Sequence, residues 1–111
     1  MTRARAAVKI SEADFQSRIM GAAKMHGWRR AHFRRAMNRR GRWETPVAGD
    51  GAGFPDLVLV RGPRLIFAEL KTDTGRTSPA QREWLAALGD TAAEVYVWRP
   101  RDWDTILNLL K

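Results

Sequence analysis

"GFPDLVLV" (residues 53–60) and "LIFAELK" (residues 65–71), four residues apart, decide how this chain is read. Both are rich in Leu, Val, Ile and Phe, and a turn at Arg61–Arg64 separates them, which is the pattern of a β-hairpin with strands at 56–60 and 65–71. Side chains on a strand alternate faces. Leu65, Phe67, Glu69 and Lys71 therefore share one face, and Ile66, Ala68 and Leu70 share the other. A carboxylate and an ammonium among apolar neighbours are costly unless something compensates them. Asp56 poses the same problem at the start of the first strand. In a hairpin that start lies beside the end of the second strand, so Asp56, Glu69 and Lys71 converge at one end of the sheet.

Two neighbouring carboxylates repel each other and call for a cation between them. Oxygen ligands from carboxylates, backbone carbonyls and water suit Mg²⁺ or Mn²⁺ rather than zinc. The carbonyl of Leu70, whose side chain points to the other face, is the further candidate ligand. Lys71 is then placed to orient a water and hold it as hydroxide for attack. A second reading of the same residues is a salt-bridge cluster of Asp, Lys and Glu at a sheet edge, and at this point both stand.

The flanking segments supply the rest of a fold. In "SEADFQSRIMGAAKMHGW", Phe15, Ile19, Ala22, Ala23 and His26 recur at three- and four-residue steps, predicting a helix with Ser11 as N-cap and Gly27 as terminator. A short strand is expected near Trp28–Phe33, followed by a long Gly- and Pro-containing loop over 34–53. After the hairpin, "TSPAQREWLAAL" carries Ser78 at an N-cap, Pro79 at the first helical position and Gln81 where a capping box needs it. That helix is expected to stop at Gly89 and to bury Trp84, Leu85 and Leu88. "EVYVW" (94–98) is a further strand, and Asp102 is read as the cap of a last helix, "WDTILNLL". Phe15, Ile19, Trp84, Leu85, Val95 and Val97 are the expected core. The order helix, three strands, helix, strand, helix predicts an α/β sheet flanked by helices. Residues 1–10 read as a basic tail and 11–111 as one domain.

Charge is distributed unevenly. Residues 1–47 hold twelve Lys/Arg and three Asp/Glu (+9), residues 48–111 hold eight and nine (−1), and the two sum to +8. Most of the excess lies in "WRRAHFRRAMNRRGRW" (28–43), whose seven arginines meet no acid. Guanidinium groups pair bidentately with phosphate, so Arg29, Arg30, Arg34, Arg35, Arg39, Arg40 and Arg42, with His32 beside them, form a candidate DNA-backbone surface. The plainer alternative is a solubilising loop. Trp43 in this segment is a candidate base-stacking side chain, and His26 reads as a packed helix residue. The chain has no cysteine, so it has neither disulfides nor thiolate metal sites. No apolar run is long enough for a membrane span, and "MTRARAAVKI" lacks a signal-peptide core, which leads to a cytoplasmic expectation.

"PD" (Pro55–Asp56) with "ELK" (Glu69–Lys71) thirteen residues after the aspartate matches the PD-(D/E)XK pattern of restriction-endonuclease-like nucleases. Together with "GRTSPAQREWLAAL", "VYVWRPRDWDTIL" and the upstream "GW" and "HF", the chain resembles the VRR-NUC family, the virus-type replication and repair nucleases, over residues 11–110. The resemblance implies a restriction-endonuclease-like core. It implies Asp56 and Glu69 as metal-binding acids, Lys71 as the catalytic lysine and Gln81 as an active-site glutamine. Glu12, on the first helix, matches the glutamate that often supports the metal in similar nucleases. Capping alone also accounts for Gln81, and helix-dipole preference alone for Glu12. The functional expectation is a Mg²⁺- or Mn²⁺-dependent, structure-selective DNA endonuclease acting on branched DNA. The dimer is expected from likeness to junction resolvases and from the single site per subunit, and a viral or mobile-element origin from the family alone. A flap, nicking or restriction-type nuclease and a non-catalytic DNA-binding module are the alternatives.

Overall fold

The computed structural model describes residues 9–33, 36–37, 39–44 and 48–111. Helix α1 (Glu12–Met25) begins where Ser11 accepts a hydrogen bond from the Asp14 N–H at 3.1 Å, satisfying a helix donor that has no partner inside the helix. It ends as Gly27 turns the backbone into the left-handed region, at φ 80°. Strand β1 (Arg29–His32) follows, as expected from the sequence. The expected loop over 34–53 contains a small antiparallel hairpin, β2 (Ala36–Met37) with β3 (Trp43–Glu44), which two-residue strands give too little periodicity to reveal.

The decisive hairpin is β4 (Leu57–Arg61) with β5 (Arg64–Leu70), paired so that Leu57 faces Ala68 and Arg61 faces Arg64. The turn is therefore Gly62–Pro63, tighter than Arg61–Arg64. Gly62 has φ 56°, the positive value required at the first position of a type II′ turn. Asp56 and Lys71 lie just outside the two strands, one at each open end. Helix α2 (Pro79–Gly89) then carries the chain across to β6 (Glu94–Trp98), which pairs parallel with β5. Gly89 is the last helical residue and Asp90 the C-cap, in a right-handed conformation. A 3-10 turn (Pro100–Asp102) leads into α3 (Trp103–Leu110). Asp102 makes no side-chain cap to α3. Its carboxylate accepts instead from the Arg99 N–H at 3.0 Å, closing the 3-10 turn.

The main sheet has the order β1-β4-β5-β6, antiparallel except for β5 with β6. Its two faces are covered unequally. Leu57, Leu59, Ile66, Ala68, Leu70 and Trp98 point to one face and are buried against Phe15, Ile19 and Ala23 of α1 and Ile106 and Leu110 of α3. On the opposite face Val58, Phe67, Val95 and Val97 are only half-buried beneath α2. Trp84, Leu85 and Leu88 are likewise half-buried, so the sequence-based core is right for Phe15 and Ile19 and overstated for the α2 side. One amphipathic helix cannot span the width that two helices cover on the other face. Gln81 is the buried residue of α2, which points to the end of the sheet where the charged residues gather. Among the described residues no helix is long and apolar enough to cross a membrane.

Candidate active site

The hairpin register brings the two acids together. Continued one step past Leu57↔Ala68, it places Asp56 opposite Glu69 on the α2 face of the sheet. Asp56 is fixed by the end of the neighbouring strand β5: its Oδ2 accepts the Leu70 N–H at 2.9 Å. Glu69 is 1% exposed, and its Oε1 accepts from Gln81 Nε2 at 2.8 Å. Lys71 Nζ lies 3.7 Å from the same Oε1, too long for a tight charge-assisted bond. Glu69 Oε2 is buried and meets no hydrogen-bond donor among the described residues. The Asp56 carboxyl flanks Glu69 across the hairpin.

The electrostatics follow from that packing. Burial, then the charge of Asp56 and a hydrogen bond to it, push the Glu69 carboxyl up to about 8; Lys71 opposes this rise and Glu12 adds to it slightly. Glu69 thus keeps its proton to higher pH than an ordinary carboxyl does. A buried acid with an orphan oxygen, beside a second acid, is a donor set short of one positive charge.

Gln81 completes the capping box of α2 and also donates to Glu69. Its Oε1 accepts from the Ser78 N–H at 2.8 Å and Ser78 Oγ accepts from the Gln81 N–H at 3.1 Å, completing the capping box. Its Nε2 is left to hold Glu69. The cap thereby fixes the orientation of the amide that the carboxylate sees.

Beside the acids lies an open cleft of about 720 Å³, lined by Glu12, Gln16, Arg30, His32, Phe33, Asp56 and Leu70 among others. Glu12 faces this cleft and reaches Glu69 only through its field. Leu70 has its side chain in the core, so its carbonyl is the part able to serve the site. Arg30 donates to the Met20 carbonyl at 3.0 Å and His32 contacts Gln16, which ties both to α1 at the cleft wall. Arg29 is exposed on β1, and Arg39, Arg40 and Arg42 are exposed between β2 and β3. Arg34 and Arg35 lie outside the described residues, as does the side chain of Trp43. Of the sequence candidates, Asp56, Glu69, Leu70, Lys71 and Gln81 come together; the arginines between β2 and β3 belong to a separate element.

Two supporting residues were missed from the sequence. Gly53 sits at φ +82°, and a Cβ there would stand 2.5 Å from the Ala80 backbone carbon and 2.6 Å from the Gln81 nitrogen. Only glycine lets the "GFPD" segment press against the first turn of α2, which seats Gln81 over Glu69. Arg99 donates through Nη1 to the carbonyls of Thr72 and Gly75, each at 2.6 Å, and so holds the turn that follows Lys71. A Gly next to "FPD" hinted at the first; a lone arginine after β6 gave no signal of the second.

A sheet whose central hairpin ends in two adjacent acids and a lysine, with helices on both faces, matches the restriction-endonuclease-like core expected from the sequence. The comparisons with known proteins agree. The model of the VRR-NUC domain family matches residues 11–102, and the chain belongs to that family, which is a family of nucleases. A solved structure described as "VRR_NUC domain protein" superposes with a TM-score of 0.59 at 21% identity, covering 93% of this chain and 87% of that one, and so shares its fold. Comparison with curated proteins gives no match. The family implies hydrolysis of a DNA substrate and generally uses divalent metals. Among the described residues no three His, Cys, Asp or Glu side chains form a metal-binding cluster. The candidate set is two carboxylates and a carbonyl, and the orphaned Glu69 Oε2 is the observation that fits a cation to it.

Proposed function

We propose that this chain is a Mg²⁺- or Mn²⁺-dependent, structure-selective endonuclease that hydrolyses phosphodiester bonds in branched DNA. The observation that carries the reading is Glu69: buried, lacking a donor at Oε2 among the described residues, and set against Asp56. A purely structural acid would have been given a full set of partners.

Asp56, Glu69 and the Leu70 carbonyl are the residues that hold the cation, with Glu12 contributing from across the cleft. When bound, a divalent ion supplies positive charge that stabilises the developing phosphate oxyanion and lowers the pKa of water. Gln81 keeps Glu69 in the orientation needed to ligate. Lys71, whose ammonium is held near but not locked onto Glu69, donates to the attacking water and to a phosphate oxygen. Water adds to phosphorus and one P–O ester bond breaks, leaving a phosphate monoester and an alcohol that takes up a proton. Arg29 and the arginines between β2 and β3 grip the backbone without reading bases, which favours shape over sequence. One site per chain cuts one strand, so symmetrical cuts across a junction require two copies, and we assign the working form as a homodimer.

Labelled linear, flap, nicked and four-way DNA, each with Mg²⁺, Mn²⁺ or chelator at fixed salt, tests this reading. Wild type should cut branched DNA only with metal, and Asp56→Ala and Lys71→Ala should not. Cleavage surviving Asp56→Ala contradicts the mechanism, whereas binding without cleavage on every substrate favours a non-catalytic module. Native mass spectrometry reads the stoichiometry, and a monomer making symmetrical junction cuts contradicts the dimer.

A further inference from the structure

We propose that Phe33 stacks on an unpaired nucleobase beside the scissile phosphate and thereby selects DNA whose pairing is interrupted at the cut. The inference rests on the nuclease reading above. A lone exposed apolar side chain is ordinary and by itself needs no function. Phe33 is set apart by its position, its support and its surroundings.

Its position is fixed relative to the acid. The Phe33 N–H donates to the Asp56 carbonyl at 2.9 Å, which extends the β1–β4 pairing one step beyond His32↔Leu57. Phe33 and Asp56 are therefore cross-strand neighbours on one face, with Cβ atoms about 5 Å apart. Glu69 flanks Asp56 on the opposite side, so the row across the sheet end reads aromatic, carboxylate, carboxylate.

The ring is also braced. It meets Phe54 edge-on, with centroids 5.5 Å apart, and Phe54 in turn meets Phe67 at 5.9 Å and Trp84 at 5.0 Å. Trp84 is anchored by its indole N–H on the Asp50 carbonyl at 2.7 Å. Despite this backing, Phe33 is 38% exposed and lines the cleft together with Asp56.

The surroundings are cationic. Arg29 lies four residues back on the same face of β1, and Arg30 lines the cleft. An aromatic platform among phosphate-binding side chains is the arrangement that binds single-stranded nucleic acid. A base within a duplex has both faces covered by its neighbours. Only a base released from the stack, as at a branch or flap, can offer a face to Phe33.

The test uses one DNA sequence in three forms: fully paired, with a short unpaired stretch at the cut site, and with that stretch made abasic. Binding is followed by anisotropy in chelator and cleavage with Mn²⁺, for wild type, Phe33→Ala, Phe33→Leu and Phe33→Trp at fixed salt. Wild type should prefer the unpaired form to both others. Phe33→Ala and Phe33→Leu should lose about tenfold in affinity for that form alone, and Phe33→Trp should keep it. Phe33→Leu retains bulk against Phe54, so a folding defect cannot imitate this pattern. Equal losses on all three DNAs, or a wild type that ignores abasic substitution, overturn the proposal. Base-dependent binding without any cleavage would sink the nuclease reading and leave the stacking intact.

Discussion

A carboxylate and a cation meet at each end of strand β5, and the two arrangements are opposites. At the start, Arg64 meets Glu94 through Nε at 2.8 Å and Nη2 at 2.7 Å, and the Tyr96 hydroxyl donates to Glu94 at 2.8 Å. Both Glu94 oxygens are satisfied, the pair is partly in solvent, and Arg64 holds the Glu94 carboxyl below its usual range. At the other end Glu69 has one amide donor, a lysine at 3.7 Å and an oxygen with no hydrogen-bond partner among the described residues, and its carboxyl is pushed up to about 8. The first is a finished ion pair that joins β5 to β6. The second is unfinished in a way that costs stability, and proteins keep such costs where chemistry requires them. A salt-bridge cluster, the structural alternative for Asp56, Glu69 and Lys71, should have looked like the Arg64 end.

Exchanging each acid for its amide is the sharpest way to break this contrast. Glu69→Gln should lower metal-dependent cleavage by about a thousandfold, a loss comparable to removing a key electrostatic group, while thermal stability in chelator holds or rises. Glu94→Gln should do the reverse, lowering the melting temperature and leaving cleavage close to wild type. If both variants lose stability and neither loses cleavage, the two ends are alike and the contrast fails.

Gly53→Ala comes next in size. The left-handed backbone and the 2.5 Å approach to Ala80 leave no room for a methyl group, so α2 must shift and Gln81 must leave Glu69. Destabilisation of at least about 1 kcal/mol is expected, together with lost cleavage. A chemical melt and a cleavage assay read the two effects, and an unperturbed variant would mean that α2 does not position the site. Arg99→Ala should release the Thr72–Gly75 turn and lower kcat about tenfold, since a displaced catalytic group costs rate before binding. Arg99→Lys should recover part of that loss, and KM for DNA should hold; a change in KM alone would make Arg99 a DNA contact.

The smallest effect is on pH dependence. The Glu94 carboxyl lies lower in the folded than in the unfolded chain, so its contribution is present above the ordinary value of 4.5 and is lost as pH falls through the folded value. Wild type should therefore lose stability faster than Glu94→Gln below that pH, by a modest amount because the pair is partly exposed. Parallel melting curves for the two proteins across that range would remove the pair from the account of stability.

The two ends differed in how far they could be read in advance. Adjacency of Asp56 and Glu69 was legible because hairpin register is local arithmetic: once 57 faces 68, 56 must face 69. Lys71 followed from the same strand, whereas Gln81 was legible from spacing only as a cap and as a site residue only from the family resemblance. What stayed hidden depends on contacts between distant segments. That Gly53 abuts the α2 backbone, or that Arg99 closes the turn after Lys71, is a property of packing that no local pattern encodes. The two-residue strands at 36–37 and 43–44 carry too few residues to show alternation. The half-burial of Trp84 and Leu85 reflects how little of one sheet face a single helix covers. The sequence also showed that Glu69 was charged and misplaced, while its missing partner became visible only once every neighbour had been placed.

The most direct test is Mn²⁺ binding followed by electron paramagnetic resonance on wild type, Glu69→Gln and Glu94→Gln, without DNA. Saturable binding to wild type and Glu94→Gln, lost in Glu69→Gln, is the expected result. Equal binding by all three proteins would contradict the claim that the incomplete end of β5 is built to hold a cation.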